Sequence, residues 1–288
     1  MTEKRVPNKD RARILAHSLP YIRKYAGKVV VVKYGGNAMT DDNLKREVMQ
    51  DIALINTVGV KTVVVHGGGP ELTELLKKMG KESRFVNGLR VTDSDVIDAA
   101  QMVLAGKINK SLVNLLQSFG SKCMGISGID SGLLEARIKD PELGYVGELV
   151  NVNIEPVMDL LDKGYIPVIS SLACDKDRNV YNVNADTAAA GIAAAAKAEN
   201  MIMMTDISGI LRDRDDPDSL IPELTVRQAA ELREQGIISG GMIPKVECCV
   251  NAVNAGVESV VILDGRVPHA ILMEMLTDEG AGTLVHKE

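Results

Sequence analysis

The chain has 288 residues, 45% of them apolar and 25% charged, with a formal net charge of -6; this is the make-up of an ordinary globular protein with room for one large or two modest domains. The acidic balance argues against nucleic acid as a partner, and no run approaches the roughly 18 consecutive apolar residues that span a bilayer. The opening MTEKRVPNKDRARI is charged and has no hydrophobic signal core, so a cytoplasmic setting is expected.

Residues 10–25 predict an amphipathic helix with Ile14, Leu15, Leu19 and Ile22 on one side and a kink at Pro20. That stripe must be buried against the chain's own domain or a second subunit. The near-continuous apolar runs at 29–33 (VVVVK), 62–65 (TVVV), 165–169 (YIPVI), 201–204 (MIMM) and 259–263 (SVVIL) predict strands covered on both faces, as in a parallel sheet. Helical patterns lie between them, at 43–58, 71–79, 94–119, 156–163, 185–198, 226–235 and 244–255. Strand and helix in alternation mean an α/β sandwich with right-handed crossovers. Residues 82–91 and 133–152 break the rhythm and read as β-hairpin insertions, with turns at Asn87-Gly88 and from Gly144 to Gly147. Residues 211–220 (LRDRDDPDSL) read as a surface loop. Cys123, Cys174, Cys248 and Cys249 show no CxxC spacing and are expected as small buried hydrophobes rather than disulfides or zinc ligands.

The chemistry-bearing residues cluster where strands end. The first run closes in Lys33-Tyr34-Gly35-Gly36-Asn37 and the second in His66-Gly67-Gly68-Gly69-Pro70, directly before a helix. Ligands of open α/β sheets bind outside the carboxyl ends of the strands, and glycines there let backbone N–H groups approach an anion. Lys33 follows four valines and is expected at the edge of a buried strand, facing those glycines. In the second half, Tyr181-Asn182-Val183-Asn184-Ala185-Asp186 opens a small-residue helix, where Asn184 or Asp186 also fits an N-cap. A further loop, Thr205-Asp206-Ile207-Ser208-Gly209-Ile210, follows the MIMM run, and Gly240-Gly241-Met242-Ile243-Pro244-Lys245 opens the last predicted helix. Lysines on two loops, with an aspartate able to hold both, form an electrostatic clamp suited to a phosphoryl group in transfer. GxxxxGK[ST], a strand-linked GxGxxG, the HRD and DFG pair and GxSxG are all absent, which weighs against the P-loop, dinucleotide, protein-kinase and hydrolase classes.

In this order, KYGGNA, HGGGP, NGLRVTD, YNVNADTAA, TDISGIL and SGGMIPK resemble the acetylglutamate kinases of the amino acid kinase family, from about residue 28 to the C-terminus. The resemblance implies an open, mainly parallel sheet of eight or so strands between helices. It implies three parts: an N-terminal oligomerisation helix at 1–27, an acyl-substrate lobe at 28–184 and an ATP lobe at 185–288. The implied reaction uses ATP with Mg2+ to phosphorylate the γ-carboxylate of N-acetyl-L-glutamate in arginine biosynthesis. Lys33 and Lys245 would neutralise the phosphoryl group and Asp186 would orient both. Gly35, Gly36, Gly68 and Gly69 would supply backbone donors, and Arg90 and Asn182 would hold the acyl substrate. Thr205, Asp206, Gly209, Ile210, Gly240, Gly241 and Met242 would bind ATP, with magnesium held mainly by the phosphates. His66 is expected to be structural, because the accepting carboxylate is already ionised and needs no base. The N-terminal helix and the GAGT ending resemble the arginine-inhibited hexamer of this family, a trimer of dimers, with Tyr21, His269, Glu274 and Gly282 as candidates around the effector. Some members also bind a nitrogen-sensing regulatory protein. The alternatives are a related kinase acting on an aminoadipate-type or other acidic substrate and a non-catalytic regulatory module on the same fold. The latter is disfavoured by the presence of Lys33, Asp186 and Lys245.

Overall fold

The computed structural model describes residues 7–39, 41–86 and 88–288. The start of the charged N-terminal stretch and Asn87 of the expected Asn87-Gly88 turn lie outside the described residues. Helices α1 (Asn8–His17) and α2 (Leu19–Tyr25) come first. The expected single kinked helix is thus two, broken at Ser18. Pro20 lies in the first turn of α2 rather than at the break, where its missing N–H costs no helical bond. Ile14, Leu15 and Leu19 are exposed.

β1 (Val29–Tyr34), α3 (Asp42–Thr57), β2 (Lys61–His66) and α4 (Gly69–Lys78) follow. The hairpin β3 (Phe85–Val86) and β4 (Leu89–Arg90) leads into α5 (Ser94–Gln101), a π-helical stretch over Met102–Ile108 and α6 (Asn109–Ser118). β5 (Cys123–Ser127) precedes the antiparallel pair β6 (Leu134–Ile138) and β7 (Gly147–Val152), then α7 (Glu155–Asp162) and β8 (Ile166–Ser170). Short strands β9 (Leu172–Cys174) and β10 (Val180–Asn182) run up to α8 (Ala185–Ala195) and β11 (Asn200–Thr205). β12 (Glu223–Thr225), α9 (Val226–Glu234), α10 (Met242–Asn254), β13 (Ser259–Asp264), α11 (Ala270–Leu276) and β14 (Gly282–His286) complete the chain.

One eight-stranded sheet organises these elements, in the order β12-β14-β13-β11-β1-β2-β8-β5. Only the β13–β14 pairing is antiparallel. β-branched side chains pack well on a pleated surface, and successive residues face opposite sides of it. Val30 and Val32 therefore enter the layer shared with α3, α5 and α6, while Val31 enters the layer shared with α7, α8 and α10. Local signals fix the helix starts: Asp41 caps α3 by accepting from Asn43 and Leu44 N–H at 2.8 and 3.1 Å, and Thr225 and Gln228 form a reciprocal capping box on α9. A smaller sheet, β10-β9-β6-β7, and the β3–β4 hairpin stand beside the main sheet. Among the described residues, no helix is long and apolar enough to cross a membrane.

Candidate active site

The strands of the first half (β1, β2, β8, β5) fan one way from the sheet centre, and those of the second half (β11, β13, β14, β12) fan the other. The order reverses between β1 and β11, and the crevice outside such a reversal is the usual ligand position in an open α/β sheet. Lys33, paired in register with Met203 of β11, sits at that edge. Its Nζ lies 2.8 Å from Asp186 Oδ1 and 3.5 Å from the Met204 carbonyl oxygen, and its side chain is only 11% exposed. Asn184 caps α8, its Oδ1 accepting from the N–H groups of Asp186 and Thr187. That leaves the Asp186 carboxylate for the lysine. A Cβ on Gly35 would come 2.8 Å from Lys33 Nζ, so glycine makes room for the ammonium. Asp186 does not hold both lysines: Lys245, in the first turn of α10, is ion-paired instead with Asp206 at 3.6 Å. The two lysines thus stand on separate acids, one behind β1 and one behind β11.

Two cavities open beside these loops, one lined by residues 67–69 and 182–185 and one by residues 206–211 and Lys245. The first, of about 190 Å³, is lined by Gly67, Gly68 and Gly69, by Arg90, Asn182 and Asn184, and by apolar walls that include Leu72, Phe85 and Leu104. Among the described residues, no aspartate or glutamate lines it. Arg90 is buried, donating to Gly69 O at 3.0 Å, to Thr73 Oγ1 at 2.8 Å and to Ser83 Oγ, with its guanidinium 4.6 Å from the centre of the Phe85 ring. All these partners are neutral, and among the described residues Arg90 has no ion pair. Burial lowers its pKa somewhat, yet a guanidinium stays charged at any neutral pH, so the cavity presents an uncompensated positive charge. Sequence reasoning missed the supports Ser83, Thr73 and Phe85. Thr73 stands one turn beyond Gly69, and Ser83 and Phe85 lie in the hairpin arm opposite Arg90.

The second cavity, of about 470 Å³, is lined by Asp206, Ile207, Ser208, Gly209, Ile210, Leu211, Arg214, Ile237, Ser239, Gly241, Met242, Lys245 and Arg266. Most of the residues expected to bind ATP are there. Thr205 and Gly240 are not among the lining residues. Thr205 is buried beneath the loop, its hydroxyl bonded to Ile207 and to the Leu263 carbonyl, which fixes the turn after β11. Arg266 went unrecognised in the sequence; Asp264, at the carboxyl end of β13, grips its guanidinium through two bonds at 2.8 and 2.7 Å. Gly36 has φ +74, and a Cβ placed on it would lie 4.0 Å from backbone atoms of Thr205 and Asp206, next to the loop that lines this cavity.

His66 is fully buried at the end of β2, with its pKa lowered to about 4 by that burial. Its ring is bonded through Nδ1 to the Gly67 carbonyl at 2.8 Å and through Nε2 to Asn109 Nδ2 at 3.1 Å. A ring without solvent access and neutral at physiological pH has the character of a framework residue. Tyr21, His269, Glu274 and Gly282 lie apart from both cavities. Tyr21 hydroxyl donates to Asp278, Glu274 accepts from Ala281 N–H at 2.8 Å, and Gly282 pairs with Leu263 in the sheet. His269 Nδ1 is 2.6 Å from buried Asp51, a contact that raises the histidine's pKa, whereas burial raises that of Asp51 to about 6. Cys123, Cys174, Cys248 and Cys249 are all free; burial raises the Cys248 thiol to about 12, leaving it an inert neighbour of Asp186 and Lys33.

A reversal of strand order carrying a lysine–aspartate pair, glycine turns and two cavities defines an α/β protein of the kind that handles phosphorylated ligands. The chain belongs to the amino acid kinase family, whose pattern matches residues 28–264. Among its relatives, acetylglutamate kinase of Clostridium kluyveri is 52% identical over 277 residues, 96% of this chain and 98% of that protein. Acetylglutamate kinase of Brachyspira hyodysenteriae is 50% identical over 285 residues, 98% of this chain and 99% of its own length. Among solved structures, N-acetylglutamate synthase from Neisseria gonorrhoeae, complexed with coenzyme A and N-acetyl-glutamate, superposes with a TM-score of 0.84 at 26% identity. That likeness covers 96% of this chain, which spans 63% of the synthase's length.

Proposed function

We propose that the chain transfers the γ-phosphoryl group of ATP to the side-chain carboxylate of N-acetyl-L-glutamate, forming an acyl phosphate in the course of arginine biosynthesis. The observation that carries this reading is the position of the Lys33–Asp186 pair. Asp186 adjoins Ala185, which lines the arginine-bearing cavity, and Lys33 contacts Met204, two residues before Asp206 in the lining of the second cavity. The first cavity takes the acyl amino acid and the second takes ATP. Arg90 and Asn182 hold the acceptor. With no acid among the described residues of the lining, a free α-ammonium would find no counter-ion there, so the pocket favours an acylated amine over free glutamate.

The accepting carboxylate is ionised at neutral pH and needs no base. The obstacle is repulsion between anions, and catalysis is positioning with charge neutralisation. Lys33, oriented by Asp186, and Lys245, oriented by Asp206, neutralise the transferring group from its two sides. The Gly68 and Gly69 N–H groups face the acceptor, while Gly35 and Gly36 give access at the strand edge. Loop 205–210 and the Gly240-Gly241-Met242 turn enclose the nucleotide. Magnesium, carried on the ATP phosphates, supplies further neutralisation.

In the same reading, residues 28–184 and 185–288 are the acyl and ATP lobes. Residues 1–27 join subunits into a hexamer through the exposed stripe of Ile14, Leu15 and Leu19, and arginine binds near Tyr21, His269, Glu274 and Gly282 as an inhibitor. Hydroxylamine trapping of the acyl phosphate tests the reaction, with N-acetyl-L-glutamate, L-glutamate and N-acetyl-aminoadipate compared with and without arginine. Hydroxamate from N-acetyl-L-glutamate alone, suppressed by arginine, is expected. Preference for another acid overturns the pocket assignment, and no turnover with any acid overturns the reaction.

A further inference from the structure

The helix that follows the β3–β4 hairpin is not regular. Between α5 and α6, residues Met102–Ile108 form a π-helical turn, a feature that tends to occur at functional sites. An extra residue in a helix rotates everything beyond it by about 100°, and the first residue beyond this turn is Asn109. Leu104 and Ile108, on the turn itself, press so closely on Gly68 that a Cβ there would collide with both side chains. Asn109 is wholly buried. Its Nδ2 lies 3.1 Å from His66 Nε2, 3.1 Å from the Ile126 carbonyl and 2.9 Å from the Val168 carbonyl, so its two hydrogens are shared among acceptors on β2, β5 and β8. Gly125 gives it room, since a Cβ there would collide with Asn109 Oδ1.

The chemistry of these contacts fixes a proton. Lys110 Nζ lies 3.0 Å from Asn109 Oδ1 and 2.8 Å from the Gly125 carbonyl. An ammonium only donates, so the Asn109 atom facing it is the carbonyl oxygen, and the NH2 faces His66. His66 Nε2 therefore accepts, and the hydrogen of the neutral ring sits on Nδ1, donated to the Gly67 carbonyl at 2.8 Å. In a trans peptide the N–H points opposite to the C=O. Fastening the Gly67 carbonyl to the buried ring turns the Gly68 N–H to the opposite side; Gly68 lines the first cavity, and its N–H has no partner among the described residues.

We propose that Asn109, seated by the π-helical turn, is a positioning residue that selects the His66 tautomer and thereby holds the Gly67–Gly68 peptide with its N–H toward the anionic acceptor. The inference rests on the assignment of the first cavity to the acyl substrate. Around the ring, Lys110 on α6 is the charged neighbour and opposes a second proton. Tyr34 on β1 and Ser170 on β8 flank His66 in the sheet, and burial together with nearby acids raises Tyr34 beyond the physiological range.

Asn109→Asp distinguishes this role from a merely structural one. A carboxylate only accepts, so Nε2 must then carry a hydrogen. The Gly67 contact survives only while the ring holds two protons and is lost when it deprotonates. In this variant the acceptor KM is expected to lie near the wild-type value at about pH 6 and to rise about tenfold by about pH 8.5. The ATP KM stays unchanged, and the wild-type acceptor KM stays flat. A pH-independent change, an equal shift in both KM values or no change at all overturns the proposal. Should Asn109→Asp fail to fold, 15N-histidine spectra of the wild-type chain decide: His66 is expected as the Nδ1–H tautomer, and an Nε2–H tautomer overturns the proposal. That spectrum needs no acceptor, so absent wild-type turnover would count against the proposed reaction and not against the tautomer.

Discussion

Lys33 and Asp186 hold each other at 2.8 Å in a partly buried setting, where removing one partner leaves the other charged and poorly solvated. Lys245 differs: its partner Asp206 is half exposed and 3.6 Å away, so the fold depends little on it. Lys245→Ala should therefore keep its unfolding midpoint close to wild type while kcat drops by about two orders of magnitude or more, since the lysine acts chiefly in the transition state. Near-normal turnover in that variant would remove it from the mechanism. His66 gives a second prediction, on stability. Its pKa falls from the ordinary 6.5 to about 4 in the fold, so the unfolded chain binds the proton more readily. The contribution is complete above about pH 6.5 and is lost progressively as pH falls toward about 4. Thermal midpoints across that window should fall more steeply for wild type than for His66→Gln; parallel curves would contradict the buried neutral ring. At this scale the sequence announced Lys33 and Asp186 through their positions after a valine run and at a helix start. It did not announce Ser83, Thr73 or Asn109, which reach their partners only through tertiary contacts.

Among the elements, strands made of consecutive β-branched residues were legible, because burial on both faces writes an uninterrupted apolar run. β12, of three residues, and β14, with glycine, threonine and histidine, carry no such signal and depend on pairing with neighbours. The π-helical turn was invisible for a related reason: one extra residue hardly disturbs the apolar spacing of residues 94–119, which still reads as a single helix. Its consequence is local and testable. Gly68→Ala should destabilise the chain by about 1–3 kcal/mol, since Leu104 and Ile108 must move aside. Gly69→Ala, where a Cβ meets no described residue within 4 Å, should change stability by less than about 0.5 kcal/mol. Equal unfolding curves for the two variants would contradict the close packing of the turn.

For the whole molecule, a single sheet runs through both halves of the chain, and the β1–β11 seam brings Lys33 beside the loop at 205–210. The alternation of strands and helices foretold this architecture, but not which strands would be neighbours across the seam, since that depends on non-local pairing. The exposed stripe on α1 belongs to the same scale. Changing Ile14 and Leu15 to Asp should lower the mass seen by light scattering while leaving the far-UV circular dichroism of the subunit unchanged, because neither side chain is buried within the subunit. An unaltered mass would remove α1 from the proposed assembly. Phosphoryl transfer, in the proposed function, occurs between the two cavities, across Lys33 and Lys245. A crystal structure with ADP, aluminium fluoride and N-acetyl-L-glutamate would locate that transfer. The fluoride complex is expected within hydrogen-bonding reach of both lysine Nζ atoms, with the acceptor carboxylate beside Arg90. An acceptor bound elsewhere, or a fluoride complex remote from the lysines, would contradict it.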